Sequence, residues 1–138
     1  MGTEASNTGF RFVHTMLRVK DIDASVDFYT NILGMKVIRR RDDDIGKYTN
    51  VFLGYGPESE VAALELTYNW GQTEGYDHGT GFGHIALQVP DVYEAARSLE
   101  AAGAEFTRPA GPIKSTGRII AFVKDPDGYK IELVEPRD

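Results

Sequence analysis

Cysteine is absent from this chain of 138 residues. Disulfides, thiolate nucleophiles and sulfur-ligated metals are thereby excluded. No apolar run approaches the ~20 residues that a membrane-spanning helix needs. A surplus of basic charge is also missing: the formal net charge is -6 and the isoelectric point is near 5.0. Nucleic acid and anionic membrane surfaces, which both require a basic footprint, are therefore not expected partners. The opening residues, MGTEASNTGF, lack the basic and apolar segments of a secretion signal, so the cytoplasm is the expected location. They match the short Met-Gly-x-x-x-Ser acylation pattern, but nothing basic follows, and a floppy leader over residues 1–10 is the reading adopted. Phosphate-loop, G-x-G-x-x-G, G-x-S-x-G and H-E-x-x-H motifs are all missing.

What remains is an ordinary globular composition, 41% hydrophobic and 26% charged, in a chain long enough for one domain with a real core or two small modules sharing one. The chain contains a repeat. Residues 14–37 (HTMLRVKDIDASVDFYTNILGMKV) and 84–106 (HIALQVPDVYEAARSLEAAGAEF) align histidine on histidine, Val19 on Val89, Asp21 on Asp91 and Ile22 on Val92. Each begins as a strand and continues into helical spacing, with Ile22, Val26, Tyr29 and Leu33 in the first and Val92, Ala96 and Leu99 in the second. An aspartate stands at each helix start, with Asp91 and Glu94 in capping-box register, and Gly34 or Gly103 stands at each end.

Alternating patterns follow in each half: MKVIRR, YTNVFLGYG and VAALELTYN, then AEFTRP, RIIAFVKD and YKIELVEP. GPES and DPDG supply turn chemistry between them. The Asp42, Asp43 and Asp44 run reads as a solvated turn. Each half therefore predicts strand, helix, strand, strand, strand, over about residues 11–75 and 82–138 of a single domain spanning 11–138. The connection over residues 70–83 contains five glycines and suits a mobile lid.

Counting by twos, His14 shares a strand face with Phe12, Met16 and Arg18, and Glu65 shares one with Thr67 and Asn69. His84 lies with Ala86 and Gln88, and Glu132 with Lys130 and Val134. Each half thus carries one histidine on its first strand and one glutamate on its last. Two halves packed about a pseudo-twofold axis would bring all four into one concavity. Buried carboxylates are costly unless paired, and two of them facing two imidazoles are satisfied by a divalent cation. A set of two histidines and two glutamates suits nickel, cobalt, zinc, manganese or iron better than calcium. His78, with no strand face and no repeat partner, reads as solvent-exposed.

The segments HTMLRVKD, SVDFYTNILGMKV, VFLGYGPE, ELTYNWG, GFGHIALQVPDV and AFVKDPDGYKIEL together resemble the glyoxalase I enzymes, the lactoylglutathione lyases of the vicinal-oxygen-chelate superfamily. The likeness extends from about Val13 to about Glu135. It implies an α+β fold of two βαβββ modules with curved mixed sheets. It also implies a homodimer whose sites lie at the subunit interface, His14 and Glu65 from one chain meeting His84 and Glu132 of the other. By position, these four are the metal ligands, Glu132 is the catalytic base, and Glu65 shares proton handling on the opposite face of the substrate. Arg18 and Asn69 match residues that hold glutathione, and Arg108 sits where a basic residue contacts its glycine carboxylate. The implied substrate is the hemithioacetal of methylglyoxal and glutathione, converted to S-lactoylglutathione. Histidine at the first ligand position in a short chain matches the bacterial type, implying nickel, with cobalt or zinc as alternatives. One departure is that loop 72–81 lacks the arginine found near Thr80 in animal-type enzymes. Rival readings are another enzyme of the superfamily, an epimerase or a dioxygenase, and a drug-binding module of the same fold. The fourth ligand Glu65 opposes a dioxygenase, and the complete ligand set opposes the binding module.

Overall fold

The computed structural model describes residues 8–137. Most of the expected leader, residues 1–7, lies outside the described residues. The first half runs β1 (His14–Arg18), α1 (Ile22–Asp27), β2 (Lys36–Asp43), β3 (Tyr48–Gly54) and β4 (Ala63–Asn69). The second runs β5 (Ile85–Gln88), α2 (Val92–Ala101), β6 (Glu105–Pro112), β7 (Ile119–Lys124) and β8 (Lys130–Val134). Two four-stranded sheets result, ordered β1-β4-β3-β2 and β5-β8-β7-β6. In each, the histidine strand pairs in parallel with the glutamate strand, β1 with β4 and β5 with β8, while the other pairings are antiparallel. The helix supplies the crossover that a parallel pair requires. Both sheets carry a register shift at the same repeat position, at Val37/Arg39 and at Phe106/Arg108. These bulges set Arg39 opposite Phe52 and Arg108 opposite Phe122.

Local chemistry accounts for the helix boundaries. Asp21 and Asp91 have extended backbones, and their carboxylates accept from the N–H groups of Ala24 and Glu94, both at 3.1 Å. Such caps satisfy donors that the first turn leaves free. At the far end of α2, Gly103 N–H donates to Glu100 O and Ala104 N–H to Leu99 O, with Gly103 at φ 90°. That pattern is the Schellman closure, and only glycine adopts its left-handed step cheaply. The first helix departs from the expected continuous α-helix and widens into a π-helical turn over Phe28–Ile32. The Thr30 hydroxyl donates to Val26 O at 2.7 Å, occupying the acceptor that a regular turn would use. The closing bond is accordingly one residue longer, with Leu33 N–H donating to Phe28 O at 3.1 Å. The acidic run also differs from expectation: Asp42 and Asp43 belong to β2, and only Asp44 lies in the turn. The Asp43 carboxylate accepts from Ile45 and Gly46 N–H, and chiefly the Gly46 bond holds it below the usual carboxylate range.

The apolar faces of both sheets meet in one continuous core. Leu17, Val19, Tyr29, Leu53, Leu64 and Leu66 of the first half join Val92, Ala121, Val123, Ile131 and Leu133 of the second. The seam between halves is also polar-stapled. Buried Tyr29 donates its hydroxyl to Asp125 Oδ2 at 2.6 Å, and Asp125 Oδ1 accepts from Asp127 and Tyr129 N–H, both at 2.9 Å. Asp127 accepts from Lys20 N–H and the Ser25 hydroxyl. Burial pushes the Asp125 carboxyl up, opposed by these hydrogen bonds, and the Tyr29 hydroxyl is pushed up by burial and by the Asp125 charge.

Candidate functional site

With the apolar faces committed to the shared core, the polar faces turn outward, and on each the expected pair meets. His14 Nε2 lies 3.0 Å from Glu65 Oε1, and His84 Nε2 lies 3.1 Å from Glu132 Oε1. The imidazoles are half-exposed, at 38% and 42%, whereas the glutamate side chains are only 12% and 15% exposed. The two pairs are alike in distance and exposure, so the duplication extends to these side chains. Four ligands do not gather within one chain, however. Among the described residues, no three His, Asp or Glu side chains are placed to hold a metal ion. The single concavity expected from two packed halves is thus corrected to two separate half-sites, because burying both apolar faces together points both polar faces away from each other.

Each histidine is braced by a phenylalanine from the middle of its sheet. The Phe52 ring meets His14 edge-on with centroids 5.4 Å apart, and Phe122 meets His84 at 5.1 Å. Pairing sets these aromatics opposite Glu65 and Glu132; the sequence reading missed both, and only the repeat register between VFLG and AFVK could have marked them as a pair. Arg39 lies over the Phe52 face at 3.6 Å and pairs with Glu58 at 3.0 Å, so the brace on the first side is three layers deep. The Thr67 hydroxyl sits between Asn50 Oδ1, at 2.9 Å, and Glu65 Oε2, at 3.4 Å.

The donor set fits a divalent cation. Neither glutamate is paired with lysine or arginine among the described residues, although both are largely buried. The separations of 3.0 and 3.1 Å are hydrogen-bond lengths. They also equal the distance between adjacent corners of an octahedron with bonds of about 2.1 Å. Each pair can therefore present one edge of a coordination shell, and two pairs are needed to complete four protein ligands.

The three expected substrate contacts have different surroundings. Arg18 is exposed at the end of β1, on the His14 face. Asn69 ends β4 and accepts from the Tyr76 hydroxyl at 3.2 Å. Arg108 is turned onto its own sheet, donating to the carbonyl oxygens of Gly111, Ile120 and Pro112. The cavity of about 480 Å³ beside Glu132 is lined instead by Gln88, Arg118 and Arg137 among others. Sequence reasoning passed over Arg118, which carries no motif. His78 is not solvent-exposed as expected: its Nε2 is buried and its ring stacks on Tyr129. Spacing held no sign of this, because the partner comes from the other half's final turn.

Among the described residues, no helix is long and apolar enough to cross a membrane. Comparison with known proteins agrees with the geometry. The lactoylglutathione lyase of Salmonella typhimurium is 55% identical over 128 residues, covering 93% of this chain and 94% of that one. That of Neisseria meningitidis serogroup B is 50% identical over 127 residues, 92% of this chain and 91% of the relative. Among solved structures, the trypanothione-dependent glyoxalase I of Leishmania major superposes with a TM-score of 0.82 at 48% identity, over 92% of this chain and 87% of that one. Glyoxalase I of Zea mays gives 0.87 at 48% identity, with this chain spanning 45% of the maize chain's length. The family model described as Glyoxalase/Bleomycin resistance protein/Dioxygenase superfamily matches residues 11–133, and the chain belongs to that family.

Proposed function

We propose that this chain is a lactoylglutathione lyase, isomerising the hemithioacetal of methylglyoxal and glutathione to S-lactoylglutathione in the cytoplasm and so detoxifying methylglyoxal. The observation that carries this reading is the pair of matched His–Glu half-sites, which are incomplete singly and complementary in twos. Enzymes of this superfamily are metal-dependent. Here His14 and Glu65 of one protomer, with His84 and Glu132 of the other, would hold one divalent cation per site in a homodimer. Exposed Phe12 and Met16, on the same face as His14, are 72% and 36% accessible and suit burial against a second copy. Nickel is the metal proposed, since octahedral edges of this length and imidazole–carboxylate donors suit it, with cobalt next.

A divalent cation bound there supplies Lewis-acid polarisation of the two vicinal substrate oxygens. Glu132 is the base: its carboxylate takes the proton from C1 and returns it, or its equivalent, to C2, while the C1 hydroxyl proton passes to the C2 oxygen, so that the step is an isomerisation. Glu65, on the other half-site, faces the opposite side of the substrate and shares in proton handling. Phe52 and Phe122 hold the two imidazoles in orientation. Arg18 and Asn69 are positioned to take the peptide arm of glutathione. Arg118 and Arg137, beside Glu132, offer cationic contacts that Arg108, bonded to main-chain oxygens, offers less freely.

The test is to strip the protein with chelator and add nickel, cobalt or zinc separately while following thioester formation by ultraviolet absorbance. Restoration is expected with nickel or cobalt. Thioester formation that survives chelation undiminished, or that no metal restores, would refute the assignment.

A further inference from the structure

The glycine-rich connection over residues 70–83 is tied down by two of its own side chains. Tyr76 donates to Asn69 Oδ1 at 3.2 Å. Two residues on, His78 lies flat on Tyr129, with ring centroids 4.0 Å apart and planes 5° apart. Phe82 closes the cluster edge-on, 6.0 Å from His78 and 5.2 Å from Tyr129. Tyr129 is 7% exposed and donates its hydroxyl to the carbonyl oxygen of Arg18 at 2.8 Å. His78 Nε2 is buried and finds no hydrogen-bond partner among the described residues. The imidazole is therefore held by ring packing and not by polar pairing. A cavity of about 250 Å³ beside this cluster is lined by Met16, Arg18, Tyr76, His78 and Tyr129 among others.

One loop thus braces both residues assigned to the glutathione arm: Asn69 directly through Tyr76, and Arg18 through the Tyr129 that His78 covers. A chain segment with five glycines is costly to order, so its ordering depends on these anchors. We propose that Tyr76 and His78 make the connection a clasp that fixes Asn69 and Arg18, and that His78 is a positioning residue for binding of the thiol's peptide arm. The substrate in this statement rests on the lyase reading above. The clasp touches neither His–Glu pair, so it governs KM and leaves kcat nearly alone.

His78→Ala removes the stacked ring, whereas His78→Phe keeps a flat ring and discards the unpartnered nitrogen. With nickel-loaded protein, His78→Ala should raise KM for the hemithioacetal about threefold to tenfold, the size of effect expected from one lost ring pair, and weaken S-methylglutathione binding by calorimetry in parallel. The Phe variant should stay within about twofold of the parent in both. Tyr76→Phe, a milder change if the alanine variant folds poorly, should raise KM in the same direction. Cleavage after Glu74 by a glutamate-specific protease should accelerate in the Ala variant and not in the Phe variant. Faster cleavage with KM and S-methylglutathione affinity unchanged would overturn the proposal, as would equal behaviour of the Ala and Phe variants. A parent protein that turns over no hemithioacetal would overturn the lyase reading and the substrate half of this one, and the Glu74 cleavage rates would then decide the clasp alone.

Discussion

The separation of the two His–Glu pairs within one chain makes subunit complementation a decisive measurement. His14→Ala disables the first half-site of its own chain and His84→Ala the second. In the proposed homodimer, each variant alone would leave both shared sites lacking one imidazole, so each should be inactive. In a mixed dimer the lesions segregate: one site receives both alanines, and the other receives the intact His84 of the first variant and the intact His14 of the second. With equal amounts and free exchange, half of the dimers are mixed and one site in two is whole, so activity should recover to about 25% of the parent level in a twofold-symmetric assembly. Heterodimers isolated through two different affinity tags should reach about 50% on the same reasoning. The assay is thioester formation in nickel, on material shown by sedimentation to be dimeric. Bound metal, counted by atomic absorption, should rise in the same proportion. If the mixed dimers were no more active than either variant alone, the site would not be shared and the assignment of the four ligands would fall.

Replacing the proposed base by Glu132→Gln should lower turnover at least ~100-fold with saturating metal, and a variant with parental turnover would remove Glu132 from that role. Tyr29→Phe deletes the 2.6 Å donor to buried Asp125. A bond to a carboxylate is worth about 1.5–3 kcal/mol, so the thermal midpoint should fall by roughly 5–10 °C for a chain of this size; a shift under about 1 °C would refute the importance of the staple. Because burial raises the Asp125 carboxyl above its ordinary value of 3.8, the folded state holds this proton more tightly than the unfolded one. Its stabilising share is complete below the unfolded value and lost as pH rises through the folded one. Urea unfolding of Asp125→Asn should therefore gain on the parent as pH rises above about 4, and a difference that stays flat or runs the other way would contradict the burial argument.

The architecture and the two His–Glu pairs are legible in the sequence because both arise from period. A strand that buries one face must alternate, so a polar residue that recurs at the same register in two repeats is not accidental surface. Features set by a single competing hydrogen bond or by a distant partner are not periodic and leave no such trace. Thr30 diverts the Val26 carbonyl and widens a helix whose apolar spacing reads as regular. Arg108 sits at the expected register, yet three nearby carbonyls take its donors. His78 is stacked on Tyr129, which lies 51 positions away in the second half. The arrangement of the halves follows from magnitude. A repeat with one apolar and one ligand face can close either way. Among the described residues the apolar cluster holds 17 buried ones, and at about 2 kcal/mol each its burial is on the order of 30 kcal/mol, before allowing for what each half buries alone. Binding of a structural zinc contributes about 10–16 kcal/mol. Closing apolar faces inward therefore wins within the chain. On the proposed reading it forfeits nothing at the metal, since outward His–Glu faces are the arrangement in which a second copy would complete each site.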